Sequence, residues 1–286
     1  MRRMGLLTLL AGLLAWSFAG AAQSPKELVR SAGFTGGLVV HVGCGDGKTT
    51  AELWGGRSFV VQGLDTDEAQ VRKAREFFLS RGIAGKVCAD LFDGQHLPYV
   101  DDLVNVLVVE EPGRLAMAEV MRVLRPGGVA FIKQAATWKK VVKPWPKEFD
   151  EWTHYLHDPQ GTAVSNDTVA GYPRGLRWTG GPFWTRSHEH TSSMAAMVSA
   201  AGRIFYIMDE GLVESIQLPA EYYLTARDAF NGIVLWKRPL RNWWNHLFPL
   251  KAGRRRGRSG ARGGRPVPPA GAWAWSRTPR AAVSRG

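Results

Sequence analysis

Cysteine is scarce in this chain: Cys44 and Cys88 are the only two in 286 residues. Two thiols cannot build a disulfide framework or a cysteine-rich metal cluster, and both read as small buried apolar residues. Long apolar runs are missing too. The longest, Gly5 to Phe18, falls short of the ~20 residues a helix needs to span a bilayer comfortably. Acids are absent from positions 251–286, and that absence explains the net charge of +12. Arg2, Arg3, Lys251 and nine arginines beyond it account for twelve of the 37 basic residues, so positions 4–250 carry 25 basic and 25 acidic groups. A neutral body excludes a nucleic-acid-binding face on the folded part, because such a footprint would spread over one side of the fold.

What is present begins with a leader. Arg2 and Arg3, the apolar stretch and then Ala19-Gly20-Ala21-Ala22 read as a secretory signal over residues 1–22. The body is therefore expected to be exported to the periplasm or cell envelope, with an uncleaved anchor as the alternative and no transmembrane span left after cleavage. Ser24-Pro25-Lys26-Glu27 is a capping box with proline at the first helical position, which predicts a helix to about Ser31.

The stretch around which the rest is organised is Leu38–Gly47, LVVHVGCGDG. A β-branched run that ends in glycines at alternate positions, Gly43, Gly45 and Gly47, and is followed by a helical pattern over Thr49–Trp54, reads as strand, turn and helix of a nucleotide-binding α/β unit. Missing side chains let a ligand lie against the backbone. The next strand, Ser58–Leu64, ends on Asp65, an acid ~20 residues past the turn and so placed at the tip of the neighbouring parallel strand, where ribose hydroxyls can be accepted. A dinucleotide fingerprint would need Gly or Ala at position 48; Lys48 disfavours NAD.

Three further segments follow the α/β pattern. Val71, Ala74 and Phe78 recur at helical spacing over Asp67–Ser80, and Lys86–Asp90 is a third strand running into Leu91. Leu103–Val109 suits a strand buried on both faces, with Glu110 and Glu111 at its carboxyl end, where open α/β sheets bind ligands. Pro112–Leu124 reads as a helix, and Gly127-Gly128 turns it into a fifth strand, Val129–Gln134.

The glycine spacing, the ending Leu64-Asp65-Thr66-Asp67 and the run Glu119–Gly128 (EVMRVLRPGG) together resemble the class I S-adenosylmethionine (SAM) dependent methyltransferases over roughly Gly33–Lys133. The resemblance implies a Rossmann-like parallel sheet and SAM as cofactor. It places Gly43, Gly45 and Gly47 along the methionine portion, Asp65 on the ribose and Asp90 with Leu91 at the adenine. Glu110 would face the methyl acceptor as the candidate catalytic group. His41 would stand where the family's first motif is usually acidic, which weakens one contact to the methionine amino group. The chain also departs from the family after residue 134. Two further strands are expected there, and the sequence instead enters Lys139-Lys140-Val141-Val142-Lys143-Pro144-Trp145-Pro146. The methyltransferase-like domain is thus assigned to residues 23–140, without its last strands.

Residues 141–250 have a different composition, rich in tryptophan, proline and glycine. Met197–Ala200 and Arg203–Met208 flank Ala201-Gly202, and Tyr223–Ala226 and Ile233–Lys237 flank Asn231-Gly232, which gives two hairpins and a four-stranded antiparallel unit. Ala226–Trp236 (ARDAFNGIVLW) resembles one repeat of quinoprotein-like β-propellers. A propeller closes with typically 4–8 blades, so this segment is read as an incomplete fragment of a longer architecture, interrupted near Leu250. The basic tail, 251–286, resembles out-of-frame translation; a disordered anion-binding tail is the alternative. His188 with His190, and His154 with His157, could each be a metal pair, but with no third ligand identifiable no metal site is assigned.

Two functional readings follow. One is methyl transfer from SAM to an unknown acceptor. The other is an exported, non-catalytic binding or scaffold protein whose Rossmann-like domain has lost its cofactor.

Overall fold

Branched apolar runs bounded by glycine become strands that bury both faces. The computed structural model describes residues 24–241 apart from 136, 170, 173–174, 183–193 and 215–217. The proposed leader, the basic tail and His188-Glu189-His190 lie outside the described residues.

Helix α1 (Pro25–Ser31) starts at the capping box, with the Ser24 N–H donating to Glu27 Oε2 at 2.9 Å. Then come β1 (Gly37–Val42), α2 (Lys48–Glu52), β2 (Phe59–Asp65), α3 (Glu68–Ser80), β3 (Val87–Leu91), β4 (Val104–Val109), α4 (Met117–Val123), β5 (Leu124–Gln134) and β6 (Thr137–Val142). The sheet order is β3-β2-β1-β4-β5-β6; the first five strands are parallel and β6 returns antiparallel along β5. β1 and β4 are buried at every position, as central parallel strands must be. Because side chains alternate along a strand, the sheet has two cores. Val39, Val61, Val106, Val108 and Phe131 pack on one face with α1, α2 and α3. Val40, Val42, Leu107, Val109 and Ile132 pack on the other with α4.

Strand β6 corrects the sequence reading of residues 137–142 as the start of a departure from the domain. Its exposed, lysine-rich edge hides the alternation that marks a strand, and pairing with β5 supplies the order instead. The domain boundary expected at 140 therefore falls inside a strand. Helix α4 begins at Met117 rather than Pro112, since Pro112–Ala116 form a turn closed by Leu115 N–H to the Pro112 carbonyl.

The second sheet, β7 (Met194–Ala200), β8 (Arg203–Asp209), β9 (Tyr222–Asp228) and β10 (Val234–Pro239), is antiparallel in the order β10-β9-β8-β7, as the two hairpins predict. Trp236, at the end of the repeat-like segment, is 36% exposed and tilts against Phe205. The turn after β9 plugs into the amino-terminal ends of β1, β4 and β5. Asn105 Oδ1 accepts from Leu38 N–H (2.8 Å) and from Asn231 Nδ2 (2.6 Å), and Asn105 Nδ2 donates to Asp228 Oδ2 (2.7 Å). Arg125 Nε lies 3.6 Å from the same Asp228 oxygen, and its guanidinium is held between the rings of Phe34 and Phe230. Asn105, Arg125 and Asp228 are all buried. The described residues fall in one compact unit, and this polar junction is part of what joins its two sheets.

Over residues 150–166 the chain is ordered by side chains rather than by a ladder. Asp150 Oδ2 accepts from Asn166 N–H (2.6 Å), His157 Nε2 (2.7 Å) and Ser165 Oγ (3.2 Å). His157 Nδ1 is 3.2 Å from the Thr162 hydroxyl, so this histidine is engaged within its own loop. No helix among the described residues is long and apolar enough to cross a membrane.

Candidate functional site

In an open parallel sheet the ligand crevice opens at the carboxyl ends of the strands where the order reverses. Here β1 is flanked by β2 on one side and β4 on the other, so the crevice lies above β1 and β4. Gly43 follows the first of these strands and Glu110 the second.

The three glycines do different work. Gly43 and Cys44 both donate to the Leu64 carbonyl, which ties the turn to β2. Gly45 has φ +50°, and a Cβ built on it would meet no atom within 4 Å, so its surface is open. Gly47, at φ +84°, is the residue before α2, and a Cβ there would come within 2.8–2.9 Å of Phe78 and Ala74. Its missing side chain serves the packing of the loop on α3. Asp65 reaches across from β2: Oδ2 accepts the Gly45 N–H at 2.8 Å and Oδ1 accepts the Asp67 N–H at 3.1 Å. A carboxylate has about four acceptor positions, so after these two bonds it keeps capacity for hydroxyls in front of Gly45. Leu91, 52% exposed, lies opposite Asp65 in the β2–β3 register and offers an apolar surface beside it.

The remaining candidates are engaged by the protein itself. Asp90 accepts from Arg75 Nη2 and Gln62 Nε2, both at 2.6 Å, so each oxygen already has a partner. His41 is fully buried, with Nδ1 2.8 Å from Thr50 Oγ1 and Nε2 3.6 Å from Glu110 Oε1. The imidazole and, beyond it, Lys133 Nζ at 3.6 Å from Oε2 hold the Glu110 carboxyl below the usual carboxylate range. Burial pushes the Cys44 thiol up to about 12, which makes it a packing group rather than a nucleophile.

Sequence reasoning missed Thr50, Gln62, Arg75 and Lys133. Lys133 was within reach, because alternation from Phe131 puts it on the face of His41 and Glu110. Arg75 sits off the apolar stripe of α3 and carries no mark of its bond to the end of β3. A cleft of about 460 Å³ lies between α2 and α3, lined by Trp54, Phe77, Arg81 and others, and shares no residue with the glycine-turn site.

Residues 39–128 match the family model described as "Methyltransferase domain". The chain is 38% identical over 99 residues to Methyltransferase GfsG of Streptomyces halstedii, covering 32% of this chain and 36% of that protein. It is 27% identical over 141 residues to the ubiquinone/menaquinone biosynthesis C-methyltransferase UbiE of Vibrio parahaemolyticus, covering 46% and 53%. A crystal structure described as "a putative s-adenosyl-l-methionine-dependent methyltransferase" from Methanococcus maripaludis overlaps 38% of this chain and 52% of its own at a TM-score of 0.35 and 20% identity. The chain thus spans between a third and about half of the length of these curated relatives. Residues 39–128 are thus similar to methyltransferase domains, and their strand order and glycine turn are those of a Rossmann-like parallel sheet.

Proposed function

We propose that the chain binds SAM above β1 and β4 and transfers its methyl group to an acceptor whose class the sequence leaves open. The observation that carries this reading is the open surface at Gly45 with the Asp65 carboxylate fixed beside it. Asp65 would take the ribose hydroxyls, Gly45 would pass the methionine portion and Leu91 would cover the adenine. A bound sulfonium supplies a methyl carbon that is already electrophilic, so the protein's task is alignment and exclusion of water. Glu110, held ionised by His41 and Lys133, is assigned to the acceptor side, where it orients a donor group and receives a proton if the acceptor must lose one. Export through residues 1–22 and the origin of the four-stranded sheet as one propeller blade belong to the same proposal. They are supported by the leader pattern and by the two hairpins.

A second reading, a scaffold that has lost its cofactor, is favoured by Asp90, whose oxygens are both taken by Arg75 and Gln62, and by His41, which is fully buried. Calorimetric titration of the intact protein with S-adenosylhomocysteine and, separately, with NADH decides between them. Saturable heat with the first and none with the second is expected; no heat with S-adenosylhomocysteine refutes the enzymatic reading.

A further inference from the structure

We infer that Thr50 and His41 form a buried relay that positions the Glu110 carboxylate at the carboxyl end of β4. The inference rests on the methyl-transfer reading only for what Glu110 is used for; the contacts of the relay do not depend on it.

Strand alternation sets it up. His41 of β1 shares a face with Val108 and Glu110 at the end of β4, and with Phe131 and Lys133 of β5. That face is covered by α2, which brings the Thr50 hydroxyl to His41 Nδ1 at 2.8 Å. Room for the hydroxyl comes from Gly63 on β2, where a Cβ would stand 3.2 Å from Thr50 Oγ1 and closer still to Cys44. On the other side of the ring, Nε2 is buried with no hydrogen-bond partner, and Glu110 Oε1 is the acceptor in front of it, at 3.6 Å. A buried polar atom left unpaired costs ~1–3 kcal/mol, so the side chains have reason to close this gap.

The two contacts fix the direction of the protons. A carboxylate only accepts, so Nε2 carries a hydrogen; Nδ1 then accepts, and the Thr50 hydroxyl donates. Glu110 is thereby flanked by the imidazole Nε2–H, 3.6 Å from Oε1, and by Lys133 Nζ, 3.6 Å from Oε2. His41 touches no ligand in this scheme: it is a positioning residue, and the depressed Glu110 carboxyl is a consequence consistent with it.

The test uses the full chain with ¹⁵N-labelled histidine and ¹³C-labelled glutamate, and needs no acceptor. Long-range proton–nitrogen correlation should show His41 with hydrogen on Nε2 and an acceptor at Nδ1; hydrogen on Nδ1 alone overturns the relay. Glu110→Gln should move the His41 Nε2 resonance, and an unmoved resonance overturns it. Thr50→Val removes the hydroxyl at nearly constant volume. It should mix the tautomers and raise the midpoint of the Glu110 carboxyl titration, a change that simple loss of packing would not produce. An unchanged midpoint in a folded Thr50→Val protein counts against the relay. Since S-adenosylhomocysteine binding is measured separately, failure of the cofactor reading leaves these outcomes intact, and the reverse holds too.

Discussion

Asp228→Ala is expected to weaken the parallel sheet even though Asp228 belongs to the antiparallel one. Its carboxylate is buried. It accepts from Asn105 Nδ2 at 2.7 Å and from the Phe230 N–H at 2.9 Å, and it is the counter-charge 3.6 Å from Arg125. Alanine would leave Arg125 as a buried cation between two rings, and removing one partner of a buried pair costs ~3–5 kcal/mol. The unpaired Asn105 amide costs a further ~1–3 kcal/mol. The two overlap in one network and do not add, so a loss of about 4 kcal/mol is expected, a large part of the ~5–15 kcal/mol that stabilises a typical domain. Asp228→Asn keeps an acceptor for the Phe230 N–H and should lose less. Denaturant unfolding gives the total, and amide exchange in β1 and β4 locates it, because Asn105 also holds the Leu38 N–H. A loss under about 1 kcal/mol, or one confined to residues 194–239 with β1 and β4 untouched, would refute the idea that the polar junction makes one cooperative unit.

Other expectations follow from single contacts. Gly47→Ala places a Cβ within 2.9 Å of Phe78 and Ala74 on a left-handed backbone. It should cost ~2–4 kcal/mol in a melting experiment, whereas Gly45→Ala, with open space around it, should cost only ~1–2 kcal/mol of backbone strain while impairing cofactor binding. Asp150 is held at about 2, below the ordinary carboxylate value, first by the Asn166 N–H and then by His157. Its contribution is complete above the unfolded value of ~3.9 and is lost as pH falls from there toward about 2. Amide exchange of residues 150–166 should show this acid transition, and Asp150→Asn should abolish it. The Cys44 thiol, raised by burial, should react with iodoacetamide at pH 8 far more slowly than a free cysteine; alkylation at the free rate would contradict its packing role.

Most of the parallel sheet was legible because its strands are short, branched and closed by glycine or an acid, and β1 to β4 fall within about two residues of where the pattern puts them. The nearness of the glycine turn and Asp65 was legible for the same reason: the spacing sets the turn after β1 beside the tip of β2, where Asp65 accepts the Gly45 N–H. Strand β6 was not, since an edge strand with Lys139 and Lys140 exposed has no apolar face to declare it. Asn105 carried a signal that the sequence reading left unused. A lone amide inside Leu103–Val109 must find partners, but those partners lie 123 and 126 residues away and no local pattern points to them. The engagement of Asp90 by Arg75 and Gln62 was hidden likewise, because periodicity tells which face a residue occupies and not what its charge will reach.

The most direct test of the central claim pairs a change in the protein with a change in the ligand. S-adenosylhomocysteine and its 2′-deoxy and 3′-deoxy ribose analogues are titrated into the wild type and into Asp65→Ala by calorimetry. If the Asp65 carboxylate receives the ribose hydroxyls, the wild type discriminates against at least one deoxy analogue by roughly tenfold, about 1.4 kcal/mol, and Asp65→Ala binds all three alike. Equal discrimination in both proteins, or tight binding of S-adenosylhomocysteine unaffected by the loss of Asp65, would contradict the account.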